Sequence, residues 1–558
     1  MTSTVVERSM VQKLKAPLND GESLVYPAWD VAANLLAGNR QIVVDSDVTI
    51  LDTPLRDLAN SARQELVRLA TEYTGKYQTV DPDFGDDSSL PKIILSGHQP
   101  TLFHPGVWFK NFALDRLAKS HDGIGIHLLI DNDLSRDPGI GVLSGTEDRP
   151  SVTRVNMDVA SNEAPHEVRP IYDAATFRQF GKATATVASE LMATGSDEEL
   201  TIERLWPYAV SALDRTKNLG ECLSQARHQM ECDLGLTNLE VPLSRVCDGN
   251  AFQQFFAHLL NHGEQLFQSY NEAIREYRES HGLRSNSHPA PLLRKSEDWT
   301  ELPFWAWQES STTSVANQLP TREPVFFRED GSARQISIGE PAGGSPHINV
   351  PTISSANELA EFLEAVRHAG IRIRPRALLT TLFARLCLSD LFLHGIGGAK
   401  YDVVTNRIME MLFGIKPTGF MTISATFRPN VSCQPVLPAD TVRIKSLLRT
   451  LWYHPEKTEI HPDRPAEEIE AFGRLKKTKQ DLLAAAPTMG SRKAWHDELA
   501  SINQDLREFH DAYRQDLLEE QQQLTIKARH SRLLSSREYS FCLFPFRRLT
   551  EQLQALAR

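Results

Sequence analysis

Two histidines set in glycine-bearing turns are the residues of this chain whose types and spacing best suit chemistry. His98 follows Ser96 and Gly97 at the end of an apolar run, Ile93, Ile94 and Leu95, and His394 opens the stretch HGIGGAK that ends at Lys400. Imidazole titrates near neutral pH and moves protons, while glycine lets backbone approach a ligand closely. A helix starting behind each turn would point unpaired N–H groups and a positive dipole end at a carboxylate or phosphate. His98 and His394 are therefore read as catalytic, with Ser96 and Gly97, and then Gly395, Gly397 and Gly398, as cradles for a small anionic substrate. Lys400 adds a fixed charge to the second cradle. Neither GxGxxG nor a P-loop pattern occurs, so no nucleotide fingerprint supports either turn. The plain alternative is a pair of tight strand-to-helix connections whose histidines cap backbone groups.

Periodicity supplies the elements that would hold these groups. A strand over 92–95, a helix over 107–120 with Trp108, Phe112, Leu114 and Leu117 on one face, and a strand over 124–130 make a βαβ unit. Such units build parallel sheets, so both strand ends face one rim, where α/β proteins keep their chemistry. The second strand runs into Asp131-Asn132-Asp133. If it persists, Asp131 and Asp133 share a face, and Asp133 can serve as a general base beside His98. A turn that simply ends the strand is the alternative. Further on, a helix over 377–387, a short strand over 390–393 and a helix over 401–413 frame the second turn.

The rest of the chain is organised around this core. A helix over 55–73 and a polar loop over 80–89 read as a lead-in over 1–90, and the core spans 91–440. Within it, 184–290 reads as a helical insertion, and Asp330-Gly331 marks a hairpin. Trp305 and Trp307 read as packing aromatics. Helices over 465–486 and 491–525 flank the break PTMG. In the second, Trp495, Leu499, Ile502, Leu506, Phe509 and Tyr513 recur at steps of four and three, a coiled-coil seam, so 441–534 reads as a helical hairpin. The seam can close within the hairpin or join two subunits, and 535–558 returns to the core. The fold class expected is α/β, a Rossmann-like parallel sheet with helical insertions and a C-terminal antiparallel coiled-coil hairpin.

Size and charge exclude several functions. At 558 residues the chain is too long for one ordinary core. A formal charge of −12 argues against a nucleic-acid partner, which requires a basic face. Arg372, Arg374 and Arg376 still leave room for a small anion. The six cysteines lack CxxC pairing, which points to reduced thiols, with neither a disulfide framework nor a metal site. The N-terminal residues lack an export signal, and the apolar stretch 378–393 is broken by Arg385 and Asp390, so a cytoplasmic protein with no membrane partner is expected.

Three features in order, GHQP at the end of an early strand, RPRALLTTLF running into a glycine-rich turn, and a late coiled coil followed by SREYSFCLFPF, resemble the BshC-like family of cysteine-adding enzymes in bacillithiol biosynthesis. The resemblance runs from about residue 92 onward. It implies a Rossmann-type core, a coiled coil used in homodimerisation, and a carbon–nitrogen ligase reaction in which the amine of glucosaminyl malate attacks an activated cysteine carboxyl. By the same resemblance Ser96, Gly97, His98 and Gln99 form a first ligand loop, and Lys110 follows it. Arg374 and Pro375 match an Arg-Pro pair, and Gly395 to Tyr401 match a glycine-rich turn. His98 or Asp133 then acts as base, and Lys110, Arg374 and Lys400 hold carboxylates. Use of ATP or ADP stays open. The chain departs from the family in having Asp131-Asn132-Asp133 where an acidic stretch with an internal His is expected. A non-catalytic dimeric relative that binds a nucleotide or sugar acid is the competing reading.

Overall fold

The computed structural model describes residues 14–80, 91–136, 138–192, 199–308, 319–331, 333–341, 345–433, 436–485, 487 and 490–558. The expected polar loop after the 55–73 helix therefore lies, except for Val80, outside the described residues, as do most of the N-terminal residues read for export and part of the PTMG break. The chain divides into two compact units, one of Met1–Ser144, Thr153–Pro429 and Arg537–Arg558, the other of Gly145–Val152 and Asn430–Ser536.

The first unit is a mixed α/β body. The main strands of its two larger sheets, in chain order, are β1 (Glu22–Tyr26), β2 (Lys92–His98), β3 (Gly123–Leu129), β4 (Leu239–Pro242), β5 (Trp299–Gln308), β6 (Glu323–Asp330), β7 (Ala333–Ile338), β8 (His347–Asn349), β9 (Ile371–Pro375), β10 (Leu391–His394) and β11 (Phe420–Thr426). The main sheet has the order β1-β11-β10-β2-β3-β4. All its pairings are parallel except that of β1 with β11. From β2 the chain moves outward to β3 and β4, then resumes on the other side of β2 with β10 and β11. The strand order thus reverses between β2 and β10. In open α/β sheets ligands bind outside the carboxyl ends of the strands at such a reversal.

Helices α1 (Ala32–Val44), α2 (Leu55–Thr74), α3 (Pro105–Ser120), α4 (Leu219–Asp233) and α5 (Ile396–Phe413) support this sheet. Strand side chains alternate between faces, and here both faces are covered. Ile93 and Leu95 of β2 enter a core with Leu58 and Leu66 of α2. On the other side α3 packs against β2, β3 and β11 and buries Trp108, Phe112, Leu114 and Leu117. Trp108 lies 4.5 Å, ring to ring, from Phe541 of the C-terminal segment. The helix expected over 377–387 is α-helical over Ala377–Phe383 and widens into a π turn over Ala384–Leu388.

The stretch read as a lead-in supplies edge strand β1 and clamps the strands at the reversal. Asp390, just before β10, is buried. Its carboxylate accepts from Ile93 N at 2.9 Å and pairs with Arg63 at 3.1 Å and Arg40 at 3.0 Å. Asn39 donates to Asp390 O and Gly419 O and accepts from Gly419 N, tying β10 to β11. The expected helical insertion is largely helical, over Thr201–Ala212, Leu219–Asp233, Asn250–Asn261 and Gly263–Ser280, but β4 runs through it and forms the far edge of the main sheet. Four residues, LEVP, are too few to show a strand period between helices.

The second sheet runs from a short Lys295–Ser296 strand through β5, β6, β7 and β8, with β9 on β5. The hairpin expected at Asp330-Gly331 joins β6 to β7, pairing Asp330 with Ala333. Gly331 has φ of 59°, the left-handed region that glycine accepts without strain. Trp307 is buried, and the guanidiniums of Arg376 and Arg322 lie 3.8 and 4.3 Å from the centre of the Trp305 ring.

The second unit consists of α6 (Pro438–Tyr453), α7 (Ala466–Ala484), α8 (Arg492–Glu508) and α9 (Asp511–Leu534), with α6 along α9 and α7 along α8. Phe472, Ile502 and Leu506 form its core, joined by Phe509. The helix expected over 491–525 is therefore two helices. They part at Phe509-His510, where His510 Nε2 meets Pro455 O at 3.1 Å. The run of seam residues ends at that break, and Tyr513 beyond it is exposed. Among the described residues no helix is long and apolar enough to cross a membrane.

Removing one partner of a buried ion pair leaves the other charge unpaired, at a cost of about 3–5 kcal/mol. Asp390→Ala, which strands Arg63 beneath the strand reversal, is expected to lower the unfolding free energy by about that amount in urea denaturation. A loss below about 1 kcal/mol would show that the clamp is dispensable.

Candidate functional site

The rim at the strand reversal is built from the ends of β2 and β10 and the turns that follow them. Ser96 pairs in register with Leu393, and continuing that register sets His394 beside Gly97. Ser96, Gly97 and His98, expected in a turn, are instead the last residues of β2, so the two histidines end neighbouring strands. Because successive side chains alternate, His394 leaves the opposite face of the sheet from His98.

On the α3 face, His98 Nδ1 meets Gln99 O at 3.1 Å, and its ring lies 4.9 Å from Phe103. Burial, with the Lys110 charge adding to it, pushes its pKa down to about 3, so the imidazole is neutral and weakly basic. Lys110 is buried, and Nζ donates to Gly97 O at 2.8 Å. Burial first, then the Arg227 charge, pulls its pKa down to about 8. No carboxylate pairs with Lys110 among the described residues. Its charge therefore acts on the Gly97 turn uncompensated. Beneath it His127 is buried with neither ring nitrogen bonded, while Arg227 pairs with Glu231 and Glu240.

On the other face His394 Nε2 lies 2.8 Å from Asp402 Oδ2, and Arg385 Nη1 lies 2.6 Å from the same oxygen. Burial works to raise the Asp402 pKa, but Arg385 and His394 together hold it below the usual carboxylate range. The ionised carboxylate accepts a hydrogen bond from Nε2–H, which leaves Nδ1 as the proton acceptor. Burial lowers the His394 pKa, and Asp402 opposes that. Nδ1 faces the first turn of α5, which begins at Ile396 rather than at 401, so Gly397, Gly398 and Lys400 are helical, and a Cβ on Gly398 would sit 2.8 Å from Nδ1. Around Gly395 and Gly397 no atom lies within 4 Å of a would-be Cβ. Lys400 is half-buried and makes no ion pair among the described residues.

The remaining expected site residues disperse. Ser96 is buried, its hydroxyl donating to Leu393 O at 3.4 Å. Gln99 donates to Asp133 at 2.9 Å, and Asp133 also accepts from Leu134 N and Arg322. Burial favours its neutral form, but these donors outweigh it and lower its pKa. A carboxylate so fully engaged is a poor base. Arg374 is buried, pairing with Glu167 at 2.7 Å and Asp248 at 2.9 Å, so its charge is already met by the chain's own carboxylates.

Asp131 and Asp133 diverge, because β3 ends at Leu129 and the strand alternation that would align them lapses. Asp131 accepts from Ser244 N at 2.9 Å and from the Ser244 hydroxyl, past the end of β4. Burial, then repulsion from Glu167, raises its pKa to about 7. A cavity of about 140 Å³ lies there, lined by Asp131, Glu167, Asn218, Glu221, Pro242 and Ser244 among others. Pro100, from the loop after His98, also lines it. Asp402 and Ser244 escaped the sequence reading. Their only signals were an acid on the buried side of the helix behind His394 and a serine just after LEVP.

Among the described residues no group of three or more His, Cys, Asp or Glu is placed to hold a metal ion. No protein-family model matches the chain, and no curated protein matches it.

Two outcomes test this geometry. Gly398→Ala drives a methyl into His394 Nδ1 and is expected to cost about 1–3 kcal/mol, whereas Gly397→Ala, in open space within a helix, should gain about 0.5–1 kcal/mol. Thermal unfolding of the two variants checks the contrast, and equal effects would contradict the placement of the ring. For Asp131, the folded pKa near 7 lies above the unfolded value of about 3.9, so the folded state keeps a proton that the unfolded chain loses. This contribution is fully present below about pH 4 and lost as pH rises through 7. Asp131→Asn removes it. The variant should therefore match wild type at pH 4 and exceed it at pH 8 by about 4 kcal/mol. Parallel stability–pH curves would rule the shift out.

Proposed function

We propose that the protein is a carbon–nitrogen bond-forming enzyme that joins cysteine, or a similar carboxylate, to an amino-sugar acid such as glucosaminyl malate in the making of a low-molecular-weight thiol. The reading takes the main sheet as a Rossmann-like core and the α7–α8 pair as a coiled-coil hairpin through which two copies meet. One observation carries it: at the strand reversal an Asp402-held histidine with a free Nδ1 leaves one face of the rim, within electrostatic reach of a buried lysine on the other face, Lys110, that has no counter-carboxylate among the described residues. Amide formation needs these two things, an acceptor for the amine proton and positive charge for the carboxylate and the developing oxyanion.

In this reaction the cysteine carboxylate first attacks a phosphorus of a nucleoside triphosphate such as ATP, the co-substrate, breaking a phosphoanhydride bond and releasing ADP or pyrophosphate, so that the carboxyl carries a phosphoryl or nucleotidyl oxygen as leaving group. The amine lone pair attacks the carboxyl carbon while His394 Nδ1 takes its proton. The tetrahedral centre then collapses, and the carbon–oxygen bond to the leaving group breaks, the oxygen departing with the electron pair. Asp402 holds the ring and steadies the imidazolium, as a carboxylate behind a catalytic histidine does. The Lys110 charge at the Gly97 turn offsets the oxyanion. The open Gly395–Gly397 stretch and Lys400 take the phosphate end. His98, weakly basic, positions substrate without accepting the proton, and Asp133 leaves the list of bases.

The test is direct: purified protein, cysteine, glucosaminyl malate and ATP, with the amide followed by mass spectrometry. Wild type is expected to form the product. His394→Asn should lower kcat by about 10²–10⁴ and Lys110→Met by about 10²–10³. No product with wild type, or full activity in His394→Asn, would overturn the reading.

A further inference from the structure

The reaction above leaves one feature of the rim unused, the half-open cavity at the ends of β3 and β4. Three carboxylates line it, those of Asp131, Glu167 and Glu221. Glu167 is met by Arg374, and Glu221 by the Thr216 hydroxyl at 2.6 Å and more distantly by Arg245 at 3.8 Å. Asp131 has no cation within ion-pair distance among the described residues. It is only 8 % exposed, and its bonds come from Ser244 alone, two donors for a group with about four acceptor sites. A buried carboxylate with vacant acceptor sites facing a void is costly unless something donates to it. Leu129 and Pro242 provide apolar walls, and Pro100 closes the side toward His98. At about 140 Å³ the cavity has room for a small polar head group.

We infer that this cavity is the pocket for a primary ammonium group, and that it holds the α-ammonium of the amino-acid substrate. The inference rests on the ligase reading for the identity of that substrate. An ammonium has three donors and no acceptor, which complements vacant carboxylate sites. The rim then has two ends, acidic at Asp131 and positive at Lys110. An amino acid would place its ammonium in the first and direct its carboxyl toward the second. Amide acylation of the nitrogen removes the charge and adds bulk, so the pocket would reject an N-acylated analogue.

Calorimetry or ligand-observed NMR with the full-length protein, without nucleotide or amino-sugar acid, tests this with L-cysteine and N-acetyl-L-cysteine as probes. Cysteine is expected to bind at least tenfold more tightly than its N-acetyl form. Asp131→Asn should weaken cysteine binding tenfold or more, and Glu221→Gln, at a partly exposed site, about threefold. Equal affinity for the two probes, no binding of cysteine at 10 mM, or unchanged affinity in Asp131→Asn would each overturn the inference. If Asp131→Asn does not fold by circular dichroism, the probe pair and Glu221→Gln decide. Selective cysteine binding with no amide product removes the reaction and keeps the pocket. Amide product with an unchanged KM for cysteine in Asp131→Asn removes the pocket and keeps the reaction.

Discussion

The Asp390 carboxylate, sunk at the amino end of β10 between Arg63 and Arg40, is the constraint on which the rest of the first unit depends. A central parallel strand entering a sheet from a distant stretch of chain pays loop-closure entropy before its ladder bonds form. Asp390 joins that strand to Ile93 of β2, while Arg63 and Arg40 bring α2 and α1 to the same point. The charge is tolerable there because every partner is present at once, and it would be costly if any were missing. The consequence appears at the other end of the strands, where the same pairing sets His394 beside the Gly97 turn.

Burial then decides what each polar group at the rim can do. Arg374 is met by two carboxylates and Asp133 by three donors, Arg322 among them, and both become parts of the scaffold. Lys110 and His127 are buried, and His98 half-buried, without partners of opposite charge among the described residues, and desolvation favours their neutral forms. Asp402 is the reverse case, held ionised by Arg385 and His394. Groups left poised near neutrality, Lys110 at about 8 and Asp131 at about 7, are those that desolvation and like charge have pushed toward it.

The widened turn at Ala384–Leu388 has a comparable effect on the second face. Such π turns recur at functional sites because the extra residue reorients the side chains around it. Here Arg385 lies in it and reaches Asp402, Asn406 and the Thr418 carbonyl, so the histidine is backed by a buried network joined to the sheet.

Read alone, the sequence determined the local elements around both histidine turns, since apolar runs, glycines and helical spacing act over a few residues. The strand before His98, the helix carrying Lys110, the strand before His394 and the hairpin at Gly331 all follow from such short-range signals. It did not determine which faces the side chains take, because face depends on register between strands hundreds of residues apart. That register alone put His98 and His394 on opposite sides of one rim. The chain also hid β4, whose four residues carry no period of their own, and with it the Ser244 contact that separates Asp131 from Asp133. Arg374 was legible as a cation, but only the folded arrangement of Glu167 and Asp248 spent its charge. Partners remote in sequence set desolvation and pairing, and those decide whether an ionisable group works or merely holds the fold together.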